Sequence, residues 1–241
     1  MWLDSSIREQ IGYYEVRWEK EHSPNYFSLA RMAAVLEILV KIEFPFPTHM
    51  CDLGCGSGWA SGMLSVLGPV LGVDLDVQST AVARFQNCRF ESLNILEWDP
   101  PEAQFDLVFS FEVIEHIERP LQPLYLSKAR KLLRPGGHLL LTTPNRPAMD
   151  AIRGGGRTWS NQPIEEWLNA KELMSLLPSA GFQVIDLSSV VLDVARRGLF
   201  SVANSARVAS LLRPVCLYHL WCATFRQLLY GLHLVVLARK V

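Results

Sequence analysis

Short apolar runs alternate with helix-like segments along most of this chain, and that rhythm constrains the fold more than any other feature. The runs are HMCDLG, then WASGMLSVL; PVLGVDL, then VQSTAVARF; CRFESL; FDLVFSF, then LQPLYLSKARKLL; and HLLLTTP. Strands that alternate with helices build βαβ units and a parallel sheet with helices on both faces. FDLVFSF and HLLLTTP are almost wholly apolar, as central strands covered on both sides must be. After a loop holding Gly154, Gly155 and Gly156 come a helix over about 164–178 and a strand, FQVIDLSSVV. A helical stretch over about 194–230 and a last strand, LHLVVLARK, follow, so the sheet resumes after an insertion.

Ahead of the sheet, Tyr13, Tyr14, Val16 and Trp18 are mixed with charges as in an amphipathic helix over about 5–20. Residues 27–43 have apolar positions at helical spacing and meet Pro45 and Pro47. The expected organisation is a helical cap, 1–44, and an α/β domain, 45–241, with the insertion before its final strand. A chain of 241 residues with 49% apolar composition can bury one such core. Its net charge of −1 makes no case for nucleic acid. The polar start MWLDSSIREQ has no secretory pattern. Cys51, Cys55 and Cys88 fall in core or turn positions, and Cys216 and Cys222 in an apolar helix. They read as reduced structural thiols, with a cytoplasmic compartment as the default.

The turn after the first strand reads Asp52-Leu53-Gly54-Cys55-Gly56-Ser57-Gly58. Glycines there permit a tight turn and close approach of a ligand to the backbone. Asp74 ends the second strand, 20 residues after Gly54, a spacing that suits an acid on ribose hydroxyls. The dinucleotide pattern G-x-G-x-x-G fails because Trp59 takes its third glycine position, and no P-loop string is present. Turn and acid together point to a nucleoside ligand at the carboxyl edge of the sheet.

CDLGCGSG followed by GVDLD resembles motifs I and II of the class I S-adenosylmethionine (SAM)-dependent methyltransferases. FESLNILEW, FDLVFSFEVIEHI, LLRPGGHLLLTTPN and KELMSLLPSAGF with its strand extend the likeness over about residues 45–190 and the final strand. The resemblance implies a Rossmann-like seven-stranded sheet, mostly parallel, with the last strand antiparallel. It implies that Asp52 and the turn of Gly54, Cys55, Gly56 and Gly58 hold the methionine part of SAM. Asp74 would bind the ribose, with Leu75 beside the adenine and Phe111 completing the cofactor set. Asn94, followed by Ile95, stands where many members carry an acid near the adenine amino group. An amide oxygen accepts the same hydrogen bond.

Glu112-Val113-Ile114-Glu115-His116 follows the fourth strand directly. On a helix, Glu112, Glu115 and His116 would share one face. The string resembles the same segment of ubiquinone-biosynthesis O-methyltransferases and small-RNA 2′-O-methyltransferases, where these side chains are associated with a divalent metal. Three readings stay open: the three are metal ligands, His116 is a general base or substrate contact, or the cluster is structural, since acids suit a helix N-terminus. A further histidine ligand, expected downstream in the small-RNA group, has no match in WSNQPIEEW. Trp159 and Trp167 could line an acceptor pocket or simply pack, while His22, His49 and His138 read as surface or strand-end residues.

After Asp193 the chain holds no Asp or Glu but seven basic residues: Arg196, Arg197, Arg207, Arg213, Arg226, Arg239 and Lys240. Residues 194–230 interleave these arginines with Leu and aromatics, and Arg213, Pro214 and Arg226 interrupt any spanning run. The segment is expected to be either a helical roof over the acceptor or a basic surface that touches anionic membrane. The overall expectation is methyl transfer from SAM to a partly apolar or lipid-linked small molecule, most simply at oxygen. Nitrogen or carbon acceptors and a non-catalytic SAM-binding scaffold are the alternatives.

Overall fold

The computed structural model describes residues 8–13, 24–77, 84–153, 162–190, 202–203 and 205–241. Seven strands form one sheet: β1 (Met50–Leu53), β2 (Val70–Asp74), β3 (Cys88–Ser92), β4 (Phe105–Phe111), β5 (Leu133–Pro144), β6 (Phe182–Val190) and β7 (His233–Lys240). Their order is β3-β2-β1-β4-β5-β7-β6. β1 to β5 pair in parallel, and β7 runs antiparallel to both β5 and β6. This is the expected Rossmann-like sheet, with β7 as its reversed strand.

Alternation along each central strand divides the core in two. Met50, Leu107, Phe109, Leu140, Val235 and Leu237 join Met32, Val35 and Ile38 of helix α1 (Tyr26–Leu39) on one face. Helix α2 (Trp59–Leu64) adds Ala60 and Leu64 to that face. Cys51, Leu53, Val108, Leu139, Leu141 and Val236 join Tyr125, Leu126 and Leu132 of helix α3 (Gln122–Leu132) on the other. Helix α4 (Arg146–Arg153) follows β5 and contributes Ala148 to the first face. Helix α5 (Ala170–Ser179) brings Leu173 and Leu177 to the second.

The helix expected from about 164 begins only at Ala170. Asn169 sets that start through a capping box: its side chain accepts from the Glu172 N–H at 2.9 Å, and the Glu172 carboxylate accepts from the Asn169 N–H at 2.8 Å. Upstream of that cap, Leu168 bridges to Asn145 in parallel. α1 closes at Leu39, several residues before the prolines, where the Val40 N–H bonds the Leu36 carbonyl. Pro135-Gly136-Gly137 lies inside β5, where the register against β4 shifts. Residues 8–13 are helical; Tyr14, Val16, Trp18, His22, Gly154–Gly156, Trp159 and most of VQSTAVARF lie outside the described residues.

The insertion is helical where it is described. Helices α6 (Ala206–Leu212) and α7 (Tyr218–Gln227) are separated by Pro214 and by Cys216, whose φ of 59° places it outside either helix. Arg196, Arg197, Leu199 and Phe200 lie outside the described residues. Arg226 of α7 pairs with Glu37 of α1, and the Ser189 hydroxyl accepts from the Gly231 N–H at 2.9 Å. Among the described residues no helix is long and apolar enough to cross a membrane.

Asn145, buried at the end of β5, donates from its amide to the carbonyls of Leu229 at 2.9 Å and Gly231 at 2.8 Å. It therefore ties the exit of the insertion to the sheet. Asn145→Ala leaves those carbonyls without their donor, so urea denaturation should show a loss of about 2–4 kcal/mol.

Candidate active site

The strand order reverses between β1 and β4, which sends their following connections to opposite faces and opens a crevice at the carboxyl edge. A cavity of about 640 Å³ lies there. Among the expected cofactor residues, Asp52, Gly54, Cys55, Gly56, Asp74, Leu75, Asn94, Ile95 and Phe111 all line it. Gly58 stands behind the wall as the N-cap of α2, in the left-handed region at φ 72°. Trp167 lines the cavity as well and is almost fully buried. His49 sits 3.7 Å from Asp106, and His138 pairs within β5 against Arg239, away from the cavity.

The turn takes its shape from positive-φ glycines. Gly54 has φ 85°, and a Cβ there would stand 2.3 Å from a Val113 methyl. Gly56, at φ 50°, directs its N–H to Asp74 Oδ2 at 2.8 Å. Turn and acid, 18 residues apart, are thus one hydrogen-bonded unit. Burial raises the Asp74 pKa, against the lowering effect of the Gly56, Asp76 and Leu75 N–H groups. Asp52, 2% exposed, accepts from Ser61 Oγ at 2.6 Å. Burial pushes its pKa up to about 7, the Ser61 bond opposing and the Asp74 charge adding to the rise. Asn94 uses its side-chain oxygen to accept from the Leu96 N–H at 3.0 Å, so that oxygen already caps a turn. Only its second lone pair remains for a ligand.

Glu112, Glu115 and His116 also line the cavity, but not as one helix face. Glu112 stands in the left-handed region at φ 61°, and only Ile114–His116 make a single 3₁₀ turn. The Glu112 N–H still pairs with the Thr142 carbonyl of β5 at 3.0 Å, so the chain is held to the sheet at this residue. Glu112 accepts from Thr142 Oγ1 at 2.9 Å, lies 2.8 Å from His233 Nδ1 and 3.7 Å from Arg31 Nε. Burial would raise its pKa, but Arg31, His233 and Thr142 outweigh that and hold it down at about 2. Glu115, 1% exposed, accepts from Thr143 Oγ1 at 3.0 Å. Burial first, and then the Glu112 charge, push its pKa well up. The two carboxyls are therefore pushed in opposite directions, Glu112 toward the ionised form and Glu115 toward the protonated one.

That donor set does not fit the divalent metal the resemblance suggested. Among the described residues no three His, Cys, Asp or Glu side chains are grouped to hold a cation. Glu112 already faces Arg31 and His233, His116 Nδ1 donates to the Ile164 carbonyl at 2.9 Å, and burial pushes the Glu115 carboxyl toward its protonated form. A cation would have to displace a guanidinium and strip a proton before it met its ligands.

Arg31 and His233 were not singled out from the sequence. His233 reaches the site because β7 runs antiparallel, so its first residue, opposite Pro144, arrives at the edge where β4 and β5 end. The reversed last strand of the resemblance was the available signal, since it brings the strand's start to the ligand edge. Arg31 comes from α1, and no sequence spacing relates it to Glu112. Gln10, in the helical residues 8–13, donates to the His116 carbonyl at 3.1 Å and closes another part of the wall.

A methyltransferase-domain sequence profile matches residues 25–187. A probable S-adenosylmethionine-dependent methyltransferase of Mycolicibacterium smegmatis is 33% identical over 177 residues, covering 72% of this chain and 62% of that protein. A ubiquinone biosynthesis O-methyltransferase of Cereibacter sphaeroides is 29% identical over 179 residues, 68% of this chain and 72% of that one. The solved 1,6-didemethyltoxoflavin-N1-methyltransferase of Burkholderia thailandensis, with bound 1,6-didemethyltoxoflavin and S-adenosylhomocysteine, has the same fold. Its TM-score is 0.62 at 20% identity, over 98% of this chain and 88% of that one. The chain spans about three fifths of the length of the mycobacterial relatives. The match takes in β1 to β5, the glycine turn, Asp74 and the Glu112–His116 edge, and on it the chain belongs to the S-adenosylmethionine-dependent methyltransferases.

Proposed function

We propose that the chain transfers the methyl group of SAM to the hydroxyl of a partly apolar small molecule. The observation that carries this reading is the division of one cavity into two chemically distinct walls. One wall is the glycine turn with Asp52, Asp74, Leu75, Asn94, Ile95 and Phe111, which suits a nucleoside linked to a cationic amino acid. The other has Glu112, Glu115, His116 and His233 among Phe27, Met149, Trp167 and Leu232, a polar centre in an apolar surround that suits an amphipathic acceptor. In this reading Asp74 holds the ribose and the turn holds the methionine part. His116 and Glu115 contact the acceptor, and Glu112 orients the groups around it. Because the sulfonium is already a strong electrophile, the protein's task is alignment and exclusion of water. Oxygen as the acceptor atom draws support from the relatives named as ubiquinone biosynthesis O-methyltransferases. Nitrogen is the competing outcome, since the Burkholderia neighbour is named an N1-methyltransferase. The direct test is incubation with methyl-labelled SAM and a panel of phenols and amines, with products identified by mass.

The insertion favours an acceptor that is met at a surface. Leu211 is 73% exposed, Leu220 66% and Val215 60%, beside exposed Arg207 and Arg213. Such a surface suits the headgroup boundary of an anionic membrane, as a lipid-linked acceptor would require. In liposome co-sedimentation the protein should pellet with anionic vesicles at low salt and not with neutral ones. Arg207→Glu with Arg213→Glu should abolish that binding, each arginine being worth about 1 kcal/mol. Absence of pelleting under all conditions leaves the insertion as a roof only.

Two further outcomes test the cofactor wall. Asp74→Ala should weaken SAM binding, measured by calorimetry, by about 1.5–3 kcal/mol for each charge-assisted hydrogen bond lost. Asp52 gives a pH signature. Its pKa of about 7 in the free protein means that a bound cation must displace a proton below that pH. SAM affinity should therefore fall as pH drops below about 7 and level off above it. The difference between wild type and Asp52→Asn separates this from the ligand's own amino group, and equal profiles would remove Asp52 from the contact.

A further inference from the structure

Several features of the acceptor wall converge on one side chain that neither the sequence motifs nor the family resemblance singles out. His233 opens β7, lies at the carboxyl edge opposite Pro144, is buried, and lines the cavity. Its Nδ1 stands 2.8 Å from Glu112 Oε2, with the N–H off the line to that oxygen. The ring has no other hydrogen bond among the described residues. Catalytic contacts are often loosely aligned before substrate arrives. In the tautomer that carries its proton on Nδ1, beside the carboxylate, Nε2 is the ring's acceptor. Glu112 is itself fixed from a second side by Thr142 Oγ1 at 2.9 Å, and it holds a left-handed backbone, φ 61°, of the kind that persists where a side chain must be aimed.

His116 has a different environment. Its Nδ1 is bound to a neutral carbonyl, that of Ile164, at 2.9 Å, and its Nε2 is 3.9 Å from Glu115, whose carboxyl is itself bonded to Thr143 Oγ1. The Nδ1 of His233 thus faces a carboxylate, whereas the Nδ1 of His116 faces a backbone carbonyl.

We propose, resting on the methyl-transfer reading, that His233, oriented by Glu112, takes the proton from the acceptor hydroxyl. The acceptor O–H bond breaks as its proton passes to Nε2, and an oxygen lone pair forms the new bond to the methyl carbon. The carbon–sulfur bond breaks and its electron pair stays on sulfur, leaving S-adenosylhomocysteine. Nε2 then releases the proton to water. His233 is the catalytic residue in this step, and Glu112 is its positioning residue.

Calorimetry with S-adenosylhomocysteine and kinetics with two probes, catechol and 4-nitrocatechol, test this in wild type, His233→Gln and Glu112→Gln. The nitro compound is largely ionised at mildly alkaline pH and needs no base. Expected for His233→Gln are S-adenosylhomocysteine affinity within about twofold of wild type and kcat on catechol lower by about 10²–10⁴-fold. On 4-nitrocatechol the loss should be less than about tenfold. Glu112→Gln should show the same pattern with a smaller loss, in kcat and not in KM. Equal losses on both probes, an unchanged kcat, or failure of the variants to bind S-adenosylhomocysteine would overturn the role of His233. Wild type that binds S-adenosylhomocysteine yet methylates neither probe overturns both the hydroxyl acceptor and His233. Wild type that fails to bind it overturns the methyl-transfer reading itself.

Discussion

Everything at the active edge depends on the pairing of β1 with β2 on one side and β4 on the other. Parallel strands all deliver their carboxyl ends to one edge, and the reversal of order at β1 splits the following connections apart. The glycine turn after β1, Asp74 at the end of β2 and Glu112 beyond β4 consequently surround one cavity without any helix face or local motif bringing them together. The same pairing, through β5, presents β7 in reverse, so His233 joins them from a strand whose remaining residues are core or surface.

The electrostatics of the cavity follow from how little water reaches these groups. Glu112 and Glu115 are close enough that their charges interact, and burial makes two ionised carboxylates there unfavourable. Arg31, His233 and Thr142 decide which one keeps its charge. Asp52 is held by the hydroxyl and the backbone N–H of Ser61, and burial lifts its pKa to about 7 beneath the turn. Glu112, held toward its charged form, beside Glu115, pushed toward its neutral one, makes a wall suited to proton movement and hydrogen bonding. It is poorly suited to a divalent cation, which would need both carboxylates charged and clear of arginine.

Most of the fold was legible in the chain because alternation of strand and helix is a local signal with few solutions. The strand runs and the glycine turn are written in contiguous strings, and the family resemblance carried by those strings implied the reversed last strand. What was not legible involved competition between local and distant partners. The start of α5 was placed too early because apolar spacing continues upstream of Asn169, and the capping box overrides that spacing. The helix expected at Glu112–His116 gave way to a left-handed residue and a 3₁₀ turn, because the Glu112 N–H is still paired with the Thr142 carbonyl of β5. Asn94 presented the right atom for an adenine contact, yet the Leu96 N–H already occupies part of it.

The sequence by itself determined the sheet class, the glycine turn with its acid, and the family, since each is written in a short string whose residue types are dictated by backbone geometry. Only the tertiary structure decided the charge states of Asp52, Glu112 and Glu115, and the company of Arg31 and His233. Ionisation of a buried group is set by desolvation and by charges within a few ångströms. Those neighbours come from α1, from the end of β5 and from the start of β7, distances in sequence that only the packing of α1 and the antiparallel register of β7 against β5 close.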